Sequence, residues 1–342
     1  MRVFVIGDYR TGSGPANVTK EYLLRLPKDT KRLIFSSKIM RALEIIFKMP
    51  FCDVALFSGY SGQNILGLKW AKRLKKPGVY LMHGCVEHEN AINECISAKM
   101  NETERKTMEL STAIFAVSAR FASWLKTYYP EYADKIDTAL NGVDTGALAL
   151  IRKQGGFGRR KDGMILTVGG GMPRKKIKHI CGAIEILNRM AGTEKYTLTV
   201  VGEPGHDDEK IASYPFVRNL GHVRASEVRK LYREASLFVQ NSCFETFGLA
   251  PMEALMNGCS VLMSHEVGAL ELFYDVNDGD IINNWYDETE IAGKIEALNA
   301  RGNAARLLKA LDSRSISWDA RTMELWNKLV LIQEKQRTAG EV

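Results

Sequence analysis

The stretch 241-NSCFETFGLAPMEALMNGCSVL-262 reads as the centre of a strand–helix–strand unit, with 236-SLFVQ-240 before it and 260-SVLMS-264 closing it. Pro251 fits only a first helical turn, where a backbone N–H is dispensable, so the helix is expected to begin near Ala250. Gly258 is a natural stop. Two strands joined through a helix run parallel, and a parallel sheet takes helices on both faces. Glu245 then falls in the loop and Glu253 near the third helical position. A capping-box glutamate would need Ser or Thr where Ala250 stands, which counts against that role for Glu253. Phe247, Gly248, Leu249 and Ala250 offer free backbone N–H groups suited to an anion. Two carboxylates beside an anion site suit a ligand that also carries diols, since a carboxylate accepts from two vicinal hydroxyls at once.

Working outward, the same alternation recurs. Ahead lie the strand-like runs 164-MILTV-168 and 196-YTLTVV-201, with helical patterns near 176–191 and 226–235. In the first of these helices Ile177, Ile180, Cys181, Ile184 and Leu187 share one face. Two helical stretches, about 287–311 and 318–336, close the chain. The first half has its own series: 2-RVFVI-6, 32-RLIFS-36, 53-DVALFS-58, 78-GVYLM-82, 113-AIFAV-117 and 136-IDTAL-140, with amphipathic runs such as 16–26 and 88–100 between them. The run 151-IRKQGGFGRRKDG-163 has no periodicity and reads as a linker. The expected organisation is a first α/β domain over 1–150, a linker over 151–163, a second over 164–314 and a last helix over 315–342. Each is a doubly wound, Rossmann-like sheet, and ligands are expected in a cleft, at the carboxyl ends of the strands.

Length and composition agree. A chain of 342 residues with 45% hydrophobic and 25% charged residues suits two globular domains. No apolar run reaches the roughly 20 residues of a spanning helix, and the N-terminus reads as a strand rather than a signal peptide. Six cysteines without a C-x-x-C pair point to buried thiols in a reducing cytoplasm, not to disulfides or a zinc ribbon. The net charge of +7 is concentrated in the first 150 residues, where 21 basic residues face 15 acidic ones. The partners implied are anionic: a phosphorylated substrate or an acidic membrane surface. No nucleic-acid-binding signature is present. In 36-SSKIMRALEIIFKM-49 the residues Ile39, Leu43 and Ile46 form an apolar face with Lys38, Arg41 and Lys48 elsewhere. The plain expectation is a core-facing helix; the other is a helix lying on an anionic membrane.

Loops after strands carry the remaining candidates. The loop 7-GDYRTGSGPAN-17, containing Gly14, lets backbone approach an anion at a helix start, but it only half matches a dinucleotide fingerprint and argues against a dehydrogenase. His83 in 83-HGCVEH-88 could bond a substrate hydroxyl or phosphate; a metal reading lacks ligands elsewhere. His88, Glu87 and Glu89 read as a solvated helix start. In 169-GGGMPRKKIKH-179, glycines followed by Arg174, Lys175 and Lys176 at a helix opening form a phosphate cradle. The Asp207-Asp208-Glu209 run reads as solvated carboxylates after a Pro-Gly turn.

Taken together, Glu245-Thr-Phe-Gly-Leu, then Glu253-Ala, then Asn-Gly-Cys-Ser-Val resemble the E-x7-E signature of retaining glycosyltransferases of the GT-B fold, family 4 above all. The Gly-rich first loop, 140-LNGVD-144, 168-VGGGMPRKK-176, 200-VVGEPG-205, 220-LGHV-223 and 316-ISWDARTMELW-326 follow in the family's order, so the resemblance spans nearly the whole chain. It implies two Rossmann-like domains facing a cleft, with the last helix crossing back to the first. It implies that Glu253 binds the nucleotide ribose. Glu245, with backbone at Phe247 and Gly248, would hold donor-sugar hydroxyls, and Lys175 the donor phosphates. His83 would lie near the donor sugar, and the Gly12–Asn17 loop near the diphosphate and acceptor. The family's arginine five residues before that lysine is here Gly170, and Arg174 or Lys176 is left to replace it.

The implied activity is metal-independent, retaining transfer of a sugar from a nucleotide sugar, UDP-linked by first choice. The acceptor would be a glycan or a lipid-linked molecule of surface-polysaccharide or related synthesis. No cofactor is expected, since the nucleotide sugar is a co-substrate. The protein would be cytoplasmic, with peripheral contact at the inner face of the membrane. The alternatives are a nucleotide-sugar epimerase of the same fold and a catalytically inactive partner protein.

Overall fold

The computed structural model describes residues 1–146, 148 and 160–338, so most of the expected linker at 151–163 lies outside the described residues. The chain divides into two compact units. The first comprises Met1–His88, Ser97–Gly142 and the chain from Arg314 onward; the second comprises Glu89–Ile96 and Val143–Ser313.

The first unit holds a six-stranded sheet of β1 (Val3–Ile6), β2 (Lys31–Arg32), β3 (Val54–Ser58), β4 (Gly78–Met82), β5 (Ala113–Ala116) and β6 (Ile136–Thr138), in the order β2-β1-β3-β4-β5-β6. Every pairing is parallel. The order reverses between β1 and β3. On one face Phe4, Ile6, Ala55 and Phe57 bury against Ile45 and Leu68 of the helices Lys38–Lys48 and Gly62–Arg73. The last helix, Trp318–Thr338, belongs to this unit: Trp318 meets the ring of Tyr22 edge-on at 5.5 Å.

The second sheet runs β12-β11-β10-β7-β8-β9, with β7 (Lys161–Val168), β8 (Thr197–Val201), β9 (Val217–Asn219), β10 (Ala235–Gln240), β11 (Ser260–Ser264) and β12 (Ile281–Ile282), again all parallel. The reversal falls between β7 and β10, the Rossmann arrangement. Leu237 and Val239 bury against the helices Ile177–Ala191 and Glu288–Arg301. Phe238 points to the other face, as alternation along a strand requires, and its ring meets Tyr232 of helix Ala225–Glu234 at 5.8 Å.

Four expectations change. The run 32–36 is strand only over Lys31–Arg32, because the Ile34 and Phe35 N–H groups donate to the Glu44 carboxylate at 2.9–3.0 Å instead of to a neighbouring strand. The helix over 88–100 is two, Val86–Ile92 and Ala98–Leu110, with Glu94 between them at a left-handed φ of 57°. The helix over 287–311 breaks at Gly302 and Asn303, where the Asn303 side chain binds Val261 N at 2.9 Å and Val261 O at 2.7 Å. Finally, helix Lys38–Lys48 does not face the core with Ile39, Leu43 and Ile46. Those three are exposed, and the helix buries Glu44 and Ile45 instead. Among the described residues no helix is long and apolar enough to cross a membrane.

Candidate active site

The order reversal brings the carboxyl ends of β7 and β10 side by side, and both loops that leave them carry predicted residues. After β7 comes 169-GGG-171 and a short turn, Pro173–Lys175, before helix Ile177–Ala191. After β10 comes the Glu245 loop and helix Leu249–Met256, which starts one residue earlier than expected and places Glu253 in its second turn. Gly258 ends that helix with φ +77°.

The two loops meet at Glu245. Its Oε2 accepts from the Lys175 ammonium, and Gln240 Nε2 donates to the same oxygen at 3.1 Å. Ser242 Oγ donates to it at 3.4 Å, and Arg174 Nη1 stands 3.7 Å away. The backbone is fixed from behind: Gly268 N donates to Glu245 O at 3.1 Å and Ala269 N to Phe247 O at 2.6 Å. Burial alone would raise the Glu245 pKa, but the charges of Lys175 and Arg174 outweigh it and hold the carboxyl below its ordinary value. Burial pulls the Lys175 pKa down against the attraction of Glu245. With two cations on one carboxylate, the ionised pair is the form the geometry supports.

Arg174 Nε also lies 3.5 Å from Glu89 Oε2, and the Arg174 backbone N–H donates to Asn93 Oδ1 at 3.1 Å. Glu89 is therefore part of the cation cluster rather than only a solvated helix start. Lys176 is placed differently from Arg174 and Lys175. Its backbone takes a left-handed φ of 50°, and its ammonium sits 4.9 Å from the centre of the Tyr286 ring. Of the two candidates for the missing arginine, Arg174 is the one that reaches Glu245.

Gly170 has its own reason to be glycine. Its φ is +55°, and a Cβ there would come 1.8 Å from the carbonyl oxygen of Glu203. The loops after β7 and β8 pass too close for any side chain. Gly169 leaves room for the Lys175 stem, whose Cγ would lie 2.6 Å from an added Cβ.

Glu253 does not join the cation cluster. Its Oε2 accepts from Tyr232 OH at 3.3 Å, and the surrounding protein pushes its pKa up to about 7 by burial. The residue as a whole is exposed, and it is the carboxyl end that stands against Tyr232.

His83 and Gly14 belong to the first unit. His83 follows β4, and its Nε2 pairs with Ser58 Oγ at 2.7 Å, while Ser58 Oγ pairs with Thr19 Oγ1 at 2.6 Å. Burial lowers the His83 pKa to about 4, so the ring is neutral at pH 7. Gly14 opens helix Gly14–Arg25, capped by Ser13. The Asp207 carboxylate, expected to be solvated, is buried and lies 3.1 Å from Lys178 Nζ. Among the described residues no group of three or more His, Cys, Asp or Glu converges to hold a metal.

Gln240, Ser242 and Tyr232 were not foreseen. A glutamine at the end of the buried strand β10 was the available signal. Its Oε1 is buried with no hydrogen-bond partner, next to the Glu245 cluster.

Two family profiles tile the chain: "Glycosyltransferase Family 4" matches residues 2–147 and "Glycosyl transferases group 1" matches residues 151–310. The chain belongs to the group 1 glycosyltransferases, family 4. This glycosyltransferase is 22% identical over 337 residues to D-inositol 3-phosphate glycosyltransferase of Arthrobacter sp. (strain FB24), covering 90% of this chain and 78% of the relative. It is 32% identical over 134 residues to O-antigen chain mannosyltransferase B of Escherichia coli, covering 35% of each. Among solved structures, HepE of Anabaena in complex with UDP and glucose superposes with a TM-score of 0.69 at 13% identity, over 96% of this chain and 99% of that one. An α,α-trehalose-phosphate synthase (UDP-forming) of Burkholderia xenovorans, in complex with glucose-6-phosphate, gives 0.68 at 12% identity, over 96% and 100%. The glycosyltransferase has the GT-B fold, two Rossmann-like units with parallel six-stranded sheets.

Proposed function

We propose that this glycosyltransferase moves a sugar from a UDP-sugar, with retention of configuration and without a metal or cofactor, to a glycan or lipid-linked acceptor of surface-polysaccharide or related synthesis in the cytoplasm. The observation that carries the proposal is the cluster of Lys175 and Arg174 on Glu245, set beyond the adjacent carboxyl ends of β7 and β10, where the strand order reverses. Cations beside the start of helix Leu249–Met256 suit a diphosphate. UDP as the nucleotide of the donor is supported by the structural relatives whose complexes contain UDP.

On this reading the diphosphate takes over Lys175 and Arg174, and Glu245 is released toward the hydroxyls of the donor sugar. Glu253, with Tyr232 behind it, accepts from the ribose diol. The bond between the anomeric carbon and the phosphate oxygen breaks as the acceptor oxygen bonds the same carbon from the same face. The leaving phosphate oxygen takes the acceptor proton, so no protein base is needed. Lys175 stabilises the charge that develops on that oxygen; losing one such donor costs about 10²–10³ in rate.

The deciding experiment is a thermal-shift series with UDP, GDP and ADP, followed by turnover of the preferred sugar nucleotide by Lys175→Ala and Glu253→Ala. The expected result is a UDP-specific rise in melting point, and at least a tenfold loss of turnover in each variant. Near-normal turnover in both would remove the site assignment. Epimerised donor formed without any acceptor would favour the epimerase.

A further inference from the structure

Helix Lys38–Lys48 is mounted with its apolar side outward. Helices of globular proteins turn such a stripe to the core. Here Ile39, Leu43, Ile46 and Phe47 are exposed, Ile39 at 74% and Phe47 at 68%. Among the described residues eight of the eighteen exposed large hydrophobics lie between Ile34 and Phe51, so they form a patch rather than a scatter. A shallow groove of about 290 Å³ runs through it, lined by Ile34, Phe35, Met40, Leu43 and Phe47.

The mounting is rigid. Glu44 accepts from Ile34 N, Phe35 N and the Lys48 ammonium, which ties the preceding loop to the helix. Trp70 Nε1 donates to Ile46 O at 3.2 Å, and Gln63 Nε2 to Lys38 O at 2.9 Å, anchoring the helix to its neighbour. Nothing in this arrangement turns the apolar side inward.

The charge along this stretch is mainly positive, with Asp8 as an acid near Arg41. From Lys31 to Phe51 there are five basic residues and a single acid, Glu44, which is already satisfied. Lys31 stands 4.7 Å from the Phe51 ring centre, and Lys38 and Arg41 flank the helix start. The adjoining helix Gly62–Arg73 adds exposed Lys69, Lys72 and Arg73.

We propose that this face docks on an anionic lipid bilayer, with the helix lying in the interface plane. Its apolar side would enter the headgroup–acyl boundary and the surrounding lysines and arginines would meet lipid phosphates. The choice of a bilayer over a protein partner rests on charge complementarity: an exposed apolar patch with cations beside it matches a sheet of anionic headgroups over hydrocarbon. The surface lies wholly in the first unit and does not depend on the donor.

The test is flotation of the full-length protein with vesicles of equal parts phosphatidylglycerol and phosphatidylcholine, against vesicles of phosphatidylcholine alone. The expected result is binding to the anionic vesicles only, lost at high salt. Ile39→Glu/Phe47→Glu should lower partitioning at least tenfold, and Lys38→Glu/Lys69→Glu, both at exposed positions, by roughly fivefold or more for each charge removed. Melting points and the nucleotide-induced thermal shift of both variants should match the parent, since the altered side chains are at the surface and outside the donor site. Absence of flotation, or equal flotation with both vesicle types, would overturn the proposal. So would a parent dimer in light scattering that Phe47→Glu converts to monomer, because the face would then be covered by a second copy.

Discussion

Lys175 and Glu245 form an ion pair whose side chains are only 11% and 12% exposed, and the same carboxylate oxygen receives Gln240 and faces Arg174. Such a pair is poised rather than merely stabilising. Its two charges were removed from water, and each depends on the other to offset that cost. An incoming diphosphate would replace one partner with another of the same sign, so the exchange needs no new desolvation of the lysine.

Breaking the pair from one side should therefore cost more than removing it whole. Lys175→Met is expected to lower stability by about 3–5 kcal/mol, because Glu245 is left buried with Arg174, 3.7 Å away, as its remaining cation, and Lys175→Met/Glu245→Gln should recover much of that loss. Urea denaturation of both single variants and the double variant measures the coupling. Additive losses would show that the two charges do not depend on each other.

Restoring the arginine that the family usually has should harm this protein. Gly170→Arg places a side chain at φ +55° with its Cβ at 1.8 Å from Glu203 O, so the loops after β7 and β8 must separate. A left-handed non-glycine residue alone costs about 1–2 kcal/mol, and the clash adds to it. The melting point of Gly170→Arg, and of the smaller Gly170→Ala, should fall together with nucleotide binding. A Gly170→Arg variant that melts normally and turns over faster would contradict the close packing of these loops.

Stability should respond to pH through two groups of opposite sign. Burial depresses His83 to about 4, so the unfolded chain binds the extra proton between there and the ordinary value of 6.5, and stability is lost as pH falls through that window. Burial raises Glu253 from 4.5 to about 7, so the folded chain holds the extra proton, and stability is lost as pH rises through that window. Between pH 5 and 6.5 the two slopes oppose each other. Melting curves of Glu253→Gln should rise more steeply with pH than the parent's, and those of His83→Gln should fall. Identical slopes in all three proteins would show that neither group titrates out of its ordinary range.

The strands that carry the sheets were legible because they are continuous apolar runs: β4 and β11 have the ends read from the sequence. β9 and β12 were missed, as three and two residues hold no pattern to read. The strand lost at 33–36 fails for a tertiary reason, the capture of two backbone N–H groups by Glu44 from a later helix. At the site the residue types were legible, since glycines, cations and carboxylates after strands state their chemistry locally. Their pairing was not. That Lys176 turns to Tyr286, that Arg174 joins Glu245, and that Tyr232 backs Glu253 follows from which loops lie adjacent in space, which spacing along the chain does not encode.

The last helix should be a structural part of the first unit rather than a tail. Trp318 is 5% exposed, packs edge-on against Tyr22, and presses on Gly142, where an added Cβ would come 2.6 Å from the tryptophan. Leu325 and Leu329 follow at helical spacing and are fully buried, and Lys328 Nζ reaches Asp137 Oδ1 at 3.1 Å. Deleting the indole leaves a cavity beside Tyr22, so Trp318→Ala should cost about 3–5 kcal/mol. Lys328→Ala should cost under about 1 kcal/mol, because Asp137 is more than half exposed. Urea denaturation followed by far-ultraviolet circular dichroism separates the two, with the midpoint moving and the slope unchanged in Trp318→Ala. A Trp318→Ala loss no larger than that of Lys328→Ala would mean that the buried indole is not what holds the helix.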